Sequence, residues 1–421
     1  MIHDALVGVD VGTTFIKAVV YSGDLAVLGR GTLRTPWTPK ASGAEADPDV
    51  LARAAIQAIS TALADSPEPA RVLAIGVTGM GETGVLVDGQ GRPVAPAIAW
   101  HDRRGRDQAA RLHRDLPDFG LHAGRRPTEQ CTVVKWMWLR DAGFDLDRAR
   151  RWLSLAEWVV LRLGGSPESE VSLASRTGAL DVRRLEPYGD ALDWCGAPPS
   201  WLGEPVAAGT PAGEVSNGPR EMRGAVATVA GLDAYASLGA IGADDPRTAF
   251  VSCGTSGAAI RVLDHVPTED TVRAAVEMDV TVDRYLDGRR MALLGTTPCG
   301  LILQPIYDTV GPPEGAPAPG EPEHAAGAQA GEPPHGLDAQ RAELWQRSYQ
   351  AVADGQSRLV RTIEPFGEPL ARVVAAGGWM LQPGLRHALE RRLRSALELH
   401  ADDATAALGA AMLARSAASA A

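Results

Sequence analysis

Two stretches far apart in this chain share one local pattern, and that duplication limits the available folds more than any other feature. Ala5 to Tyr21 and Thr248 to Val262 each read as an apolar run, a Gly-Thr-(Thr/Ser) turn and a second apolar run enriched in Val and Ile. Apolar runs of this length around a glycine turn predict β-hairpins. A glycine followed by two hydroxyl residues lets backbone N–H groups converge on an anion while the side chains add donors. Two such cradles on two similar half-molecules, facing each other across a cleft, would hold a nucleotide polyphosphate, which points to an ATP-dependent enzyme. Asp10 stands two residues before Gly12 inside an otherwise apolar strand, where a lone carboxylate is costly to bury. Its expected partner is a hydrated Mg²⁺, an ion that keeps several waters and takes few protein carboxylates.

A chain of 421 residues is long enough for two domains. A net charge of −11 argues against nucleic acid or an anionic membrane as the main partner, so a polyanionic substrate must be met by local donors. Cys131, Cys195, Cys253 and Cys299 have no metal-ligand spacing and read as reduced thiols, and the histidines form no cluster. Met1 to Asp4 lead directly into a strand without a signal core, and no run approaches the ~20 apolar residues of a membrane span. The expected setting is cytoplasmic.

Along the chain, Asp47-Pro48-Asp49 supplies a helix N-cap with proline at the first position, followed by Ala52, Ile56, Ile59 and Leu63 at helical spacing. Val72 to Thr78 is a continuous apolar run of the kind buried on both faces. Shorter strands are expected at Val85 to Asp88 and Ala97 to Trp100, and a helical, tryptophan-rich core from Val133 to Leu163. The Pro- and Gly-rich stretch 195–222 reads as a connection, which divides the chain into domains 1–222 and 223–421. The second would open with Ala225 to Ala230, running into Gly231-Leu-Asp233. Residues 308–336 are dominated by Gly, Pro, Ala and Glu and read as a surface loop. A helix resumes near Ala339, a strand ends in Gly377-Gly378, and small residues from Ala404 onward would let a final helix lie close to a sheet.

In order, Asp10-Val-Gly-Thr-Thr14, Thr78-Gly-Met-Gly-Glu82-Thr83, Trp100-His-Asp102-Arg-Arg104 and Ser172-Leu-Ala-Ser-Arg-Thr177 are followed by Gly231-Leu-Asp233-Ala234, Gly254-Thr-Ser256, Gly377-Gly378 and Ala407-Leu-Gly-Ala-Ala411. This series resembles the FGGY carbohydrate kinases of the actin-like, sugar-kinase and Hsp70 ATPase superfamily, over nearly the whole chain. The resemblance implies an α/β fold of two ribonuclease H-like (actin-like ATPase) domains, with a nucleotide and sugar cleft between them, and ATP and Mg²⁺ as cofactors. It implies that Asp233 takes the proton of the attacking hydroxyl and that Asp10 organises the Mg²⁺ shell. Gly12, Thr13 and Thr14 would meet one part of the phosphate chain and Gly254, Thr255 and Ser256 another. Gly377 and Gly378 would receive the adenosine, although Trp379 stands where a third glycine is common. Gly300 and Gln304 match a nucleotide-contacting stretch of the glycerol kinase branch.

The expected acceptor pocket is Glu82, Trp100, His101 and Asp102, since a carboxylate pair can accept bonds from several hydroxyls and an aromatic face covers a sugar's apolar side. The competing readings are a cap role for Asp233, core packing for Trp100 and an ion pair to Arg103 or Arg104 for Asp102. The implied activity is ATP-dependent phosphorylation of a small ketose, polyol or cyclitol, with xylulokinase the nearest branch. Partners would be the small-molecule sugar or polyol and a homodimer mate, with no nucleic acid and no membrane. A catalytically reduced, nucleotide-binding regulatory protein of the same fold, or an actin-like ATPase acting on proteins, are the alternatives.

Overall fold

The computed structural model describes residues 3–254, 256–313, 337–400 and 404–421. Two six-stranded sheets dominate it. The elements of the first are His3–Val11 (β1), Phe15–Ser22 (β2), Val27–Arg34 (β3), helix Pro48–Asp65 (α1), Ala70–Gly79 (β4), Pro211–Glu214 (β5), Val226–Leu232 (β6) and helix Asp233–Ala240 (α2). Those of the second are Thr248–Cys253 (β7), Ser256–Leu263 (β8), Thr281–Arg284 (β9), Met291–Pro298 (β10), helix Leu337–Ile363 (α3), Arg372–Ala376 (β11) and Ala396–Leu399 (β12). Helix Thr405–Ala420 (α4) follows.

The first sheet runs β5-β6-β4-β1-β2-β3 and the second β9-β10-β8-β7-β11-β12. Within them β3-β2-β1-β4-β6 and β10-β8-β7-β11-β12 share one plan. An antiparallel hairpin carries each Gly-Thr turn, and two further strands add parallel to its first member. The two matching hairpins therefore occupy equivalent places in two equivalent sheets.

Strand β1 is buried from Ala5 to Val9 without alternation, as expected of a central strand covered on both faces. One cover is α1, whose N-cap Asp47 accepts from the N–H groups of Asp49 and Val50 at 2.8 and 3.2 Å. The other is α4. A Cβ on Gly8 would lie 1.8 Å from the carbonyl oxygen of Ala407, and one on Gly76 2.0 Å from that of Ala410, so the helix rests on bare backbone.

Three expectations change. Strand β6 pairs in parallel with β4, joining Val226 to Ala74 and Val229 to Val77, so it belongs to the first sheet. The division expected at 222/223 therefore falls inside the first layered unit, and α4 returns to that unit after the second sheet is complete. The stretch from Val133 to Leu163 is not continuously helical. Helix Thr132–Asp141 ends near Gly143, at φ +84°, and Trp152 lies on the strand Arg151–Ser154, paired with Leu86. Trp136, Trp152 and Trp158 are core, with Trp136 meeting Trp152 and Trp201 edge-on at 6.3 and 5.2 Å. The loop expected over 308–336 begins within helix Gly300–Val310, and its residues 314–336 lie outside the described residues.

Candidate active site

The parallel strands β1, β4 and β6 lie side by side, so their C-terminal ends bring Asp10, Gly79 and Leu232 to one edge of the sheet. Asp233 follows as the first residue of α2, its Oδ1 accepting from the Ala234 N–H at 2.6 Å. The Asp233 charge is felt at Asp10. Burial and the Asp233 carboxylate push Asp10 up to about 7, against the pull of Lys17. Burial pushes Asp233 up to about 6, with Glu82 adding to the shift while the Ala234 N–H and Arg176 oppose it. Burial plus a like charge is the arrangement by which carboxyl groups are brought into the neutral range.

Asp10 Oδ1 is buried with no hydrogen-bond partner among the described residues. Such an oxygen fits a water of a hydrated cation. No group of three or more His, Cys, Asp or Glu side chains among the described residues could hold a metal ion unaided. A hydrated Mg²⁺ keeps several waters and draws other ligands from phosphate, so the Asp10 oxygen would meet its water shell.

The β1–β2 turn is braced from behind. Thr35 donates through its N–H to the Thr14 carbonyl at 3.0 Å and through its hydroxyl to the Gly12 carbonyl at 2.7 Å. The Trp37 indole donates to the Thr13 carbonyl at 2.7 Å, and the Trp100 indole to Thr13 Oγ1 at 2.9 Å. With its carbonyls engaged, the turn is fixed in one shape. His101 meets Trp100 and Trp37 edge-on at 5.4 and 6.3 Å. In the second turn the Gly254 N–H donates to the Ser256 carbonyl at 3.2 Å, and the Gly300 N–H to the Gly254 carbonyl at 3.0 Å, tying helix Gly300–Val310 to the turn. Thr255 lies outside the described residues. Gly377, at φ +107°, abuts the end of β7, where a Cβ would lie 2.6 Å from the Cys253 carbonyl oxygen. Gly378 opens the turn Gly378–Leu381. Trp379 is buried, 6.4 Å from both Trp345 and Tyr307, and is a core residue. Gln304 is exposed and donates along its own helix to Asp308 at 2.9 Å, away from the turn.

The acceptor pocket departs most from expectation. Asp102 is fully buried and clamped by Arg104, whose Nε reaches Oδ1 at 2.9 Å and Nη2 reaches Oδ2 at 2.8 Å. Burial raises its carboxyl, but the bonds from Arg104 outweigh this and hold it below the usual range. It is an ion-pair partner rather than an open pocket wall. Glu82 adopts φ +59°, a strained conformation for this residue type, and the Thr132 hydroxyl donates to its carbonyl at 2.9 Å. Its Oε1 accepts from Arg125 Nη2 at 2.8 Å and from Arg176 Nε at 3.0 Å. Against burial, the Arg176 and Arg125 charges hold Glu82 below the usual range. Sequence reasoning singled out neither arginine, nor Thr35 and Trp37. Arg176 lay within a quoted motif, but nothing in its neighbours reports that it reaches Glu82.

Residues 5–239 match the FGGY family of carbohydrate kinases, N-terminal domain, and the chain belongs to that family. It is 31% identical over 335 residues to the xylulose kinase of Streptomyces coelicolor, covering 75% of this chain and 65% of that one. It is 29% identical over 207 residues to the glycerol kinase of Thermococcus onnurineus, covering 47% of this chain and 42% of the other. The match thus spans about two fifths to two thirds of the length of these relatives. The fold superposes on the crystal structure of a xyloylose kinase from Brucella ovis with a TM-score of 0.81 at 24% identity, covering 99% of this chain and 91% of that one. No helix among the described residues is long and apolar enough to cross a membrane.

Asp10 carries a stability consequence. Its folded value near 7 exceeds its ordinary 3.8, so its ionisation opposes folding. The penalty is absent below about pH 4, grows as the pH rises to about 7 and is constant above. Asp10→Asn should match wild type in thermal stability at the acid end and exceed it at pH 8 by on the order of 1–2 kcal/mol. A variant less stable than wild type at pH 8 would mean that the carboxylate is paired within the fold.

Proposed function

We propose that the protein is an ATP-dependent carbohydrate kinase that phosphorylates a hydroxyl of a small ketose, polyol or cyclitol, nearest in kind to the xylulose kinases. The observation that carries this reading is the pair Asp10 and Asp233 at the C-terminal ends of the parallel strands β1 and β6, which flank β4, each raised by burial and one by the other's charge. Asp233 is suited to take the proton of the acceptor hydroxyl, since a base poised near neutral pH is efficient and its carboxylate stands at the start of α2, just past the end of β6. Asp10 would face the water shell of Mg²⁺, which when bound neutralises phosphate charge. The braced Gly12-Thr13-Thr14 turn would meet one part of the phosphate chain, and Gly254, Thr255 and Ser256 another. Gly377, packed against the end of β7, and Gly378 would receive the adenosine. Phosphoryl transfer needs mainly positioning and charge neutralisation, so no covalent nucleophile is required.

Glu82, Trp100 and His101 remain the proposed acceptor contacts. Asp102 would act only through the loop it anchors with Arg104. The test is an ADP-release assay over ketoses, polyols, aldonates and cyclitols, with the product checked by mass spectrometry. At least one polyhydroxylated compound should stimulate ADP formation and gain one phosphoryl group. If none does while ATP still binds, the regulatory reading replaces this one.

A further inference from the structure

We infer that Ser172 and Glu170 are positioning residues that hold the peptide carrying Asp233, an inference that rests on reading Asp233 as the base. The peptide group between Gly231 and Leu232 is gripped at both ends. Its carbonyl accepts from the Thr78 hydroxyl at 2.6 Å, and its N–H donates to Ser172 Oγ at 3.0 Å. A peptide plane pinned on both edges is held against rotation, and Asp233 begins one residue later, so the grip steadies the backbone from which its side chain departs.

Ser172 is itself oriented. Its hydroxyl donates to Glu170 Oε2 at 2.7 Å, which leaves its lone pairs for the Leu232 N–H. The same Glu170 oxygen accepts the Leu173 N–H at 2.9 Å. The Glu170 N–H in turn donates to Glu157 Oε1 at 2.8 Å, and Glu157 is locked in a capping box with Ser154. Glu170, Ser172 and Glu157 are all fully buried. Gly231, at φ +79°, is what admits the strut. A Cβ there would lie 2.8 Å from Ser172 Oγ and 3.0 Å from Glu170 Oε1.

Capping alone does not account for Glu170. Its helix, Val171–Ser175, has five residues, and burial pushes the carboxyl up to about 7, a costly state for an ordinary cap. The oxygen that caps the helix also accepts from the hydroxyl that holds the peptide before Asp233.

The test compares steady-state kinetics and melting of Ser172→Ala, Thr78→Val and Glu170→Gln with wild type and Asp233→Asn, using the acceptor found in the panel above. Ser172→Ala should lower kcat by about 10-fold or more while KM for acceptor and ATP stays within about twofold, because a misaimed base costs the transition state and not binding. Thr78→Val, which frees the other edge of the same peptide, should do the same and serves if Ser172→Ala does not fold. Glu170→Gln keeps an oxygen for the Ser172 hydroxyl and should retain most of kcat. Wild-type kcat in both Ser172→Ala and Thr78→Val, with Asp233→Asn inactive, overturns the strut alone. Full turnover by Asp233→Asn, or a wild type inactive on every acceptor, overturns the reading on which it rests.

Discussion

Asp233→Asn is expected to lower kcat by about 10²–10⁴ while the protein melts at or above the wild-type temperature. The substitution keeps the shape of the side chain and removes the oxygen that accepts the proton. It also removes a carboxylate that burial has pushed up to about 6, whose ionisation opposes folding by a penalty that grows from about pH 4 and is complete above about pH 6. Loss of activity without loss of stability separates a base from a helix cap, because removing a cap destabilises by roughly 1 kcal/mol. Retention of more than about half the wild-type rate would remove Asp233 from the mechanism. The Asn variant should also flatten the acid limb of the kcat profile. If that limb persists unchanged, another group titrates there.

Asp283→Ala should cost about 3 kcal/mol or more, a loss read as a lower melting temperature and urea midpoint. Asp283 sits on β9 of the second sheet, is fully buried, and accepts at Oδ2 from Arg176 Nη1 and the Tyr235 hydroxyl, both at 2.8 Å. Both donors belong to the first unit, and Arg176 also binds Glu82. Removing Asp283 leaves a buried guanidinium with one carboxylate instead of two and a buried phenol without its acceptor. Asp283→Asn, which keeps an acceptor for Tyr235, should cost less. Equal and small losses from both would mean that the two units hold together without this bridge.

Local pattern made some of this readable in advance. The hairpins follow from apolar runs around glycine turns, α1 from Asp47-Pro48, and the close approach of α4 from its small residues. What escaped was non-local. A continuous apolar run such as Val226–Leu232 looks the same whichever sheet it joins, and only its pairing with β4 assigns it. Trp152 satisfies helical spacing and strand composition alike, and the break at Gly143 decides. Asp102 and Arg104 were visible as a local pair, but the Trp100 indole reaches Thr13 across 87 positions, and no spacing rule reports such a bond. The same holds for Arg176, whose partners Glu82 and Asp283 are 94 and 107 positions away.

The return of α4 to the first sheet has a kinetic consequence. As the chain emerges from the ribosome, β1, β4 and β6 can pair early, but the face of β1 and β4 that carries Gly8 and Gly76 has no cover until residues 405–420 arrive. The second sheet is made in between, so the first unit stays open on one side while its neighbour assembles. Closing it joins segments nearly 400 positions apart, a slow step for which local contacts offer no substitute. An arrested nascent chain lacking α4 should therefore bind chaperones and lose protease resistance in its N-terminal half, and release of the last helix should restore both ends of the molecule at once.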